Sequence, residues 1–335
     1  MDKRTKNILQ GLGGALIAFI FLFFTLRDKP LDLIVQNISE SKWIFIFLNG
    51  LLLALIFFLR ALRWRILIKN LGYSVKRRHI ILAVTMGYFV NSFTPKLGEF
   101  VRCLYLQKTS GVLLVRSLGS VVSERIYDIL VLLLGLVIIF IIEFERLYRL
   151  FERFFENNID NISIFGSEVL IYFLIFLGVL VVVYFTISKG LHVKVKNLLK
   201  DFVEAIRKTL YLKEYRKFFI LTVLIWAALI SMNYVALKAL PATEDKGWYF
   251  AVIVLFVGGI GWALPTPGGI GTTHYFIYQL FFIFNLDPNS GISFGILSNG
   301  LTFIYTLIFG FIALLYFFVL QRKLFNQKGE YVHGK

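Results

Sequence analysis

Three groups of residues in this chain are equipped for chemistry. The first is Ser123-Glu-Arg-Ile-Tyr-Asp128, set in an otherwise apolar run from 117 to 142. Arg125 and Asp128 are three residues apart and Glu124 and Asp128 four apart, so on a helix all three share adjoining parts of one face. The second group is Asn91, Lys96, Glu99 and Arg102, gathered around Thr94-Pro95 and Gly98. An arginine beside free backbone N–H groups at a helix start suits a phosphate, because its guanidinium donates two parallel hydrogen bonds and the helix end adds positive potential. The third is Pro267-Gly268-Gly269-Ile-Gly271 followed by His274. Its glycines permit close approach to a ligand, and Pro267 leaves the N–H groups of the next helix free.

The surroundings of these groups are those of a membrane. The 335 residues are 58% hydrophobic, include 36 phenylalanines and have a mean hydropathy of +0.76. Apolar runs lie at 8–26, 43–59, 79–93, 117–142, 168–187, 218–240, 248–264 with 275–286, and 291–320. Several are close to the ~20 residues that cross a bilayer. The run at 8–26 is long for a signal peptide and lacks a small-x-small cleavage pattern, so it reads as a retained helix.

Net charge of +16 does not point to nucleic acid once it is sorted by segment. Basic residues cluster before the first run, from Arg60 to Arg78, from 189 to 217 and after the last run, and acidic residues in 143–168. The positive-inside rule makes the basic segments and both termini cytoplasmic. If 60–78 is a cytoplasmic loop and 117–142 also begins inside, then 79–116 must enter and return on one side. The same parity makes 248–286 enter and return from the other. The expectation is an all-α polytopic membrane protein, one domain over 1–335, with about six full transmembrane helices and two oppositely oriented re-entrant hairpins. Their Thr-Pro breaks then suggest an inverted repeat with tips near the midplane. A simple eight-span bundle is the alternative.

Two shorter amphipathic pieces complete the chain: Leu31 to Ile38 on the outer surface, and a basic helix from Val195 to Leu210 on the inner one.

Glu124 to Asp128 would lie on the order of 10 to 17 Å along their helix, near the middle of a core about 30 Å thick. A charge there costs about 2.5–3.5 kcal/mol or more on insertion scales, so each should meet protein or water and pair. Either these residues form an ion pair that locks the helix to the first hairpin, or Arg125 holds an anionic headgroup or couples a proton. Lys96 and Arg102 could instead anchor to lipid headgroups at the membrane surface. His274 could be a proton-linked switch or a polar cap. The single cysteine, Cys103, suits neither a zinc cluster nor a redox pair, and no metal, cofactor or ATP motif is expected.

Asn91 with Pro95-Lys-Leu-Gly-Glu-Phe-Val-Arg102, then Glu124-Arg125-x-x-Asp128, then Pro265-x-Pro-Gly-Gly-Ile-Gly271 resemble the membrane domain of lysylphosphatidylglycerol synthases and their stand-alone flippase-like relatives. The resemblance runs from about the first helix to Arg322. It implies translocation of a phospholipid, aminoacylated or anionic, or of a polyprenyl-linked glycolipid, in the plasma membrane. Full-length members also carry a cytosolic aminoacyltransferase domain, for which the segment after the last helix has no room. Family members often have a glutamate where this chain has His274, so lysyl-lipid specificity does not carry over at that position. A membrane-embedded transferase with a lipid-linked donor, or a non-catalytic partner of a lipid-modifying enzyme, is the competing expectation; a homo-oligomer fits any of these.

Overall fold

The computed structural model describes residues 31–94, 96–146, 204, 207, 211–264 and 266–333. The expected helices at 8–26 and 168–187, the acidic stretch beyond 146 and most of the basic helix from Val195 lie outside these residues, as do Pro95 and Pro265. Among the described residues every regular element is helical. A short helix, α1 (Leu31–Ser39), falls where the outer amphipathic piece was expected. It is followed by a long helix α2 (Trp43–Asn70), a helical pair α3 (Arg77–Asn91) and α4 (Leu97–Ser110), and a second long helix α5 (Leu114–Ile142). The same order then recurs: long α6 (Tyr215–Ala239), short α7 (Trp248–Ala263) and α8 (Thr272–Ile283), and long α9 (Pro288–His333).

Length separates the two kinds of helix. Among the described residues, four helices are long and apolar enough to cross a membrane: α2, α5, α6 and the Pro288–Phe317 part of α9. At about 1.5 Å per residue, the 12 to 16 residues of α3, α4, α7 and α8 rise only about 18–24 Å, short of a ~30 Å core. Each short pair is a helical hairpin with a broken tip. In the first, Lys96 stands at φ 64, and the side chain of Asn91 caps the second leg by accepting from Gly98 N–H at 2.8 Å. In the second, one 3-10 turn (Pro267–Gly269) joins the legs, with Gly268, Gly269 and Gly271 all at positive φ. Freed backbone groups at such a break must be received by protein or a water-lined cavity. Here Thr272 does part of that work, its hydroxyl donating to the Gly261 carbonyl at 2.8 Å.

One expectation is corrected. The basic segment from Arg60 to Arg78 is not a single loop, because α2 runs on to Asn70 and carries Arg60, Arg63 and Arg65 within it. The apolar pattern does not stop at Leu59: Trp64, Leu67 and Ile68 are fully buried one and two turns further on.

Small residues set the packing, as expected where lipid supplies no hydrophobic drive between helices. The legs of the first hairpin cross backbone to backbone: a Cβ on Gly98 would sit 1.8 Å from the Gly87 carbonyl oxygen. In the second, a Cβ on Gly261 would sit 2.6 Å from Thr273 Cα. Two apolar cores result. One joins the first hairpin to Ala61–Ile68 of α2, Val121 of α5, Phe218 of α6 and Ala313 of α9. The other joins the second hairpin to Ile139 of α5, Leu237 of α6 and Leu297 of α9. The two hairpins therefore occupy opposite ends of the same long helices. Between the cores, Ile56 and Phe57 of α2 meet Ala228 and Met232 of α6.

The close crossing makes Gly98→Ala severe. It should cost more than the 1–3 kcal/mol typical of overpacking and lower the yield of folded, monodisperse protein in detergent. Gly300→Ala, whose Cβ meets nothing within 4 Å, is the control and should leave the yield unchanged or raise it. Equal behaviour of the two variants would contradict the backbone contact.

Candidate functional site

The charged side chains of α5 converge with arginines from two other elements. Glu124, about 15 Å along α5, accepts from Arg63 Nη2 of α2 at 3.0 Å and from Arg102 Nη2 of α4 at 3.0 Å, one carboxylate oxygen to each. Asp128, one turn on, accepts from Arg60 Nη1 at 3.0 Å, and its other oxygen lies 2.8 Å from Arg63 Nη1 in a charge contact outside hydrogen-bond geometry. Arg125 Nε donates to Glu99 of α4 at 2.7 Å, with its Nη1 3.6 Å from Asp128. Four guanidinium ions thus meet three carboxylates, which leaves one positive charge in the cluster.

Aromatic rings complete the arrangement. The Arg102 guanidinium lies 4.6 Å from the ring centre of Trp64, and that of Arg63 5.6 Å from Phe218. Trp64 is itself held by its indole N–H, which donates to Ser120 at 3.0 Å. Stacking of this kind favours a desolvated cation. Nε of Arg63 and Nε of Arg102 nonetheless have no hydrogen-bond partner, so ring faces and carboxylates carry the burden of burial.

Accessibility divides the cluster in two. The side chains of Arg63, Glu124 and Arg102 are 0%, 1% and 5% exposed. Those of Glu99 and Arg125 are 21% and 33% exposed. The inner triad is a sealed ionic bolt between α2, α4 and α5. The outer pair can be reached from outside the protein, and Lys96 at the hairpin tip is exposed beside it in sequence.

The structure thus brings together five residues that the sequence singled out: Glu99, Arg102, Glu124, Arg125 and Asp128. Asn91 stands nearby as the cap of α4. Arg60 and Arg63 were read as loop charges, and they are the arginines that sequence reasoning missed. Their signal is present in retrospect: they are three residues apart and lie at helical spacing with Phe57, Trp64 and Leu67.

Gly268, Gly269, Gly271 and His274 of the second hairpin do not join this cluster by any hydrogen bond or ion pair among the described residues. Their depth matches it, however. Antiparallel to α5, helix α7 brings Tyr249 OH to Glu143 at 2.6 Å, Phe256 to Gly135, and Gly259 to Leu132. One further turn along both helices sets Ala263, at the start of the second break, level with Asp128. His274 is buried on α8 and accepts from Gly271 N–H through Nδ1 at 3.2 Å. An imidazole that accepts at Nδ1 is neutral and carries its proton on Nε2, so this ring serves as a cap for its own helix. Its other face lies against α9, where a Cβ on Gly295 would stand 3.0 Å from His274 Cδ2. No group of three or more His, Cys, Asp or Glu side chains among the described residues is placed to share a metal ion.

The chain has relatives. The model of the lysylphosphatidylglycerol synthase TM region matches residues 11–310, a stretch that contains both hairpins and the whole charged cluster. The chain belongs to that family. It is also 23% identical over 338 residues to UPF0104 membrane protein MJ1595 of Methanocaldococcus jannaschii, a match that takes in 94% of this chain and 96% of the relative. No solved structure matches. The lysylphosphatidylglycerol synthase TM region is thereby tied to a polytopic all-α membrane protein with a lipid-related role.

Removing the shared carboxylate from the inner triad would strand two buried arginines. Glu124→Gln should lower stability by about 3–5 kcal/mol, the cost of breaking a buried pair by deleting one partner. Arg125→Gln, at the partly exposed edge, should cost less, because Asp128 keeps Arg60 and Arg63 as partners and Glu99 is not sealed. Thermal unfolding of both variants in the same detergent measures the contrast, and similar melting temperatures would argue against a sealed triad.

Proposed function

We propose that this protein is a lipid flippase that passes an anionic lipid headgroup through a polar seam at mid-depth while the acyl chains remain in lipid. The observation that carries the reading is the graded charge cluster: a sealed Arg63–Glu124–Arg102 triad holds its helices in place and leaves Arg125, bonded to a half-buried Glu99 at 2.7 Å and 3.6 Å from Asp128, at a partly accessible edge. A lipid phosphate arriving there can replace Glu99 as the partner of Arg125, since the guanidinium can donate to either anion. The surplus positive charge of the cluster favours the exchange. Arg102, which the sequence marked for the headgroup, is on this reading a positioning residue, and Arg125 with Lys96 makes contact.

The rest of the fold supports transport. Both hairpins are too short to span, and they pack at opposite ends of the long helices. They therefore enter from opposite faces as re-entrant elements, giving two inverted halves of long helix, hairpin and long helix. The two termini and the basic residues from Lys69 to Arg78 lie on the cytoplasmic side of the plasma membrane. The substrate class is a phospholipid, anionic or aminoacylated, or a polyprenyl-linked lipid. Pro267, Gly268, Gly269 and Gly271, at the depth of Asp128, supply the backbone side of the seam.

Reconstitution with tail-labelled phosphatidylglycerol tests this. The protein should move the probe faster than empty liposomes do, and Arg125→Gln should reduce that rate at least tenfold while the protein stays folded. Glu99→Gln, which frees Arg125 of its internal competitor, should retain more phosphatidylglycerol in native mass spectra. Transport indistinguishable from empty liposomes would reject the reading.

A further inference from the structure

Helix α9 carries a polar triplet that none of the preceding chemistry uses. Counted from the first residue of each helix, Glu124, Arg125 and Asp128 lie 10, 11 and 14 positions along α5, and Ser298, Asn299 and Thr302 lie 10, 11 and 14 positions along α9. Both helices follow a broken hairpin, so the two triplets occupy the same place in the two halves. Ser298 and Thr302 satisfy themselves within the helix, donating to the carbonyls of Gly295 at 3.4 Å and Ser298 at 2.8 Å. Asn299 does not: the residue is 8% exposed, and its amide nitrogen Nδ2 is buried with no hydrogen-bond partner. A buried amide donor left unmatched costs about 1–3 kcal/mol.

Its position explains what the donor is for. Gly295, one turn before Asn299, faces His274 of the second hairpin. Phe303, one turn after it, meets Phe93 of the first hairpin tip, with ring centres 6.3 Å apart. The two facing residues are eight positions apart, about 12 Å along the axis. Asn299 therefore stands on α9 between the two tips, as Arg125 stands on α5 at the depth of the second break.

We infer that Asn299 is a second headgroup-contacting residue, donating through Nδ2 to an oxygen of the lipid phosphate once the headgroup has left Arg125. The inference rests on the flippase reading. The described conformation is then asymmetric, with the charged station open at Arg125 and Glu99 and the neutral station closed around Asn299. A neutral amide suits the later position, because a site that must release an anion has to hold it more weakly than the one that captured it. The shared chemistry is an anionic phosphate oxygen, whether from a glycerophospholipid or from a polyprenyl phosphate.

The test compares unchanged protein, Asn299→Leu and Asn299→Ser in proteoliposomes, once with tail-labelled phosphatidylglycerol and once with that probe in competition with unlabelled polyprenyl phosphate. Leucine removes the donor at similar volume and should slow transport at least tenfold with the melting temperature unchanged or raised; serine, which keeps a hydroxyl donor, should fall between. Competition that abolishes probe movement identifies the polyprenyl phosphate as the preferred source, and its absence identifies the glycerophospholipid. Transport by Asn299→Leu equal to that of the unchanged protein overturns the inference and leaves the flippase reading standing. Loss of transport in both variants together with a lowered melting temperature makes Asn299 structural and also overturns it. No transport by the unchanged protein overturns both.

Discussion

The described helices of the first half, α2 to α5, are arranged around one carboxylate. Glu124 has no route to water, so its charge is tolerable only because each of its oxygens receives a guanidinium, one from α2 and one from α4. That requirement fixes the rotation of α2, which must turn Arg63 inward, and the depth of the first hairpin, which must bring Arg102 to the same level. Trp64 and Phe218 follow, since a guanidinium held away from water needs a ring face where its remaining N–H groups find no acceptor. Apolar packing alone would leave the register of these helices open, because lipid is as good a neighbour for leucine as another helix is.

The second half solves the corresponding problem without charge. Its hairpin is closed by Thr272 and by the imidazole of His274, both bonded to backbone freed at the break. The two halves thus share an order of elements and differ in polarity. On the proposed flippase reading, that division suits a path that captures an anion in one place and lets it go in another.

The sequence made the membrane class, the broken hairpins and the α5 charges legible, because each leaves a local mark: hydropathy over twenty residues, a Thr-Pro with glycines, or acid and base in an apolar run. The partners of those charges left a fainter one. Arg60 and Arg63 sit at the end of a hydrophobic stretch, where positive residues ordinarily mark the cytoplasmic surface. Charge counting alone cannot separate a snorkelling arginine from one turned inward to a carboxylate some sixty residues further along the chain. The role of His274 was open for a related reason. Proton switch and helix cap use the same ring, and only the hydrogen bond from Gly271 distinguishes them. The common place of Glu124 and Ser298 in their halves was hidden too, since a charged triplet and a neutral one share no residue type.

The crossing of Gly87 and Gly98 bears on how the protein can move. Two helices in backbone contact, with Asn91 bonded across their tip, cannot slide along or scissor against each other without opening a gap that no side chain is there to fill. The first hairpin is therefore a stiff lever. Any motion has to carry the lever together with α2 and α5, to which the Arg63–Glu124–Arg102 triad bolts it, and to be taken up against α9, where ring contacts such as Phe89 on Phe311 lie.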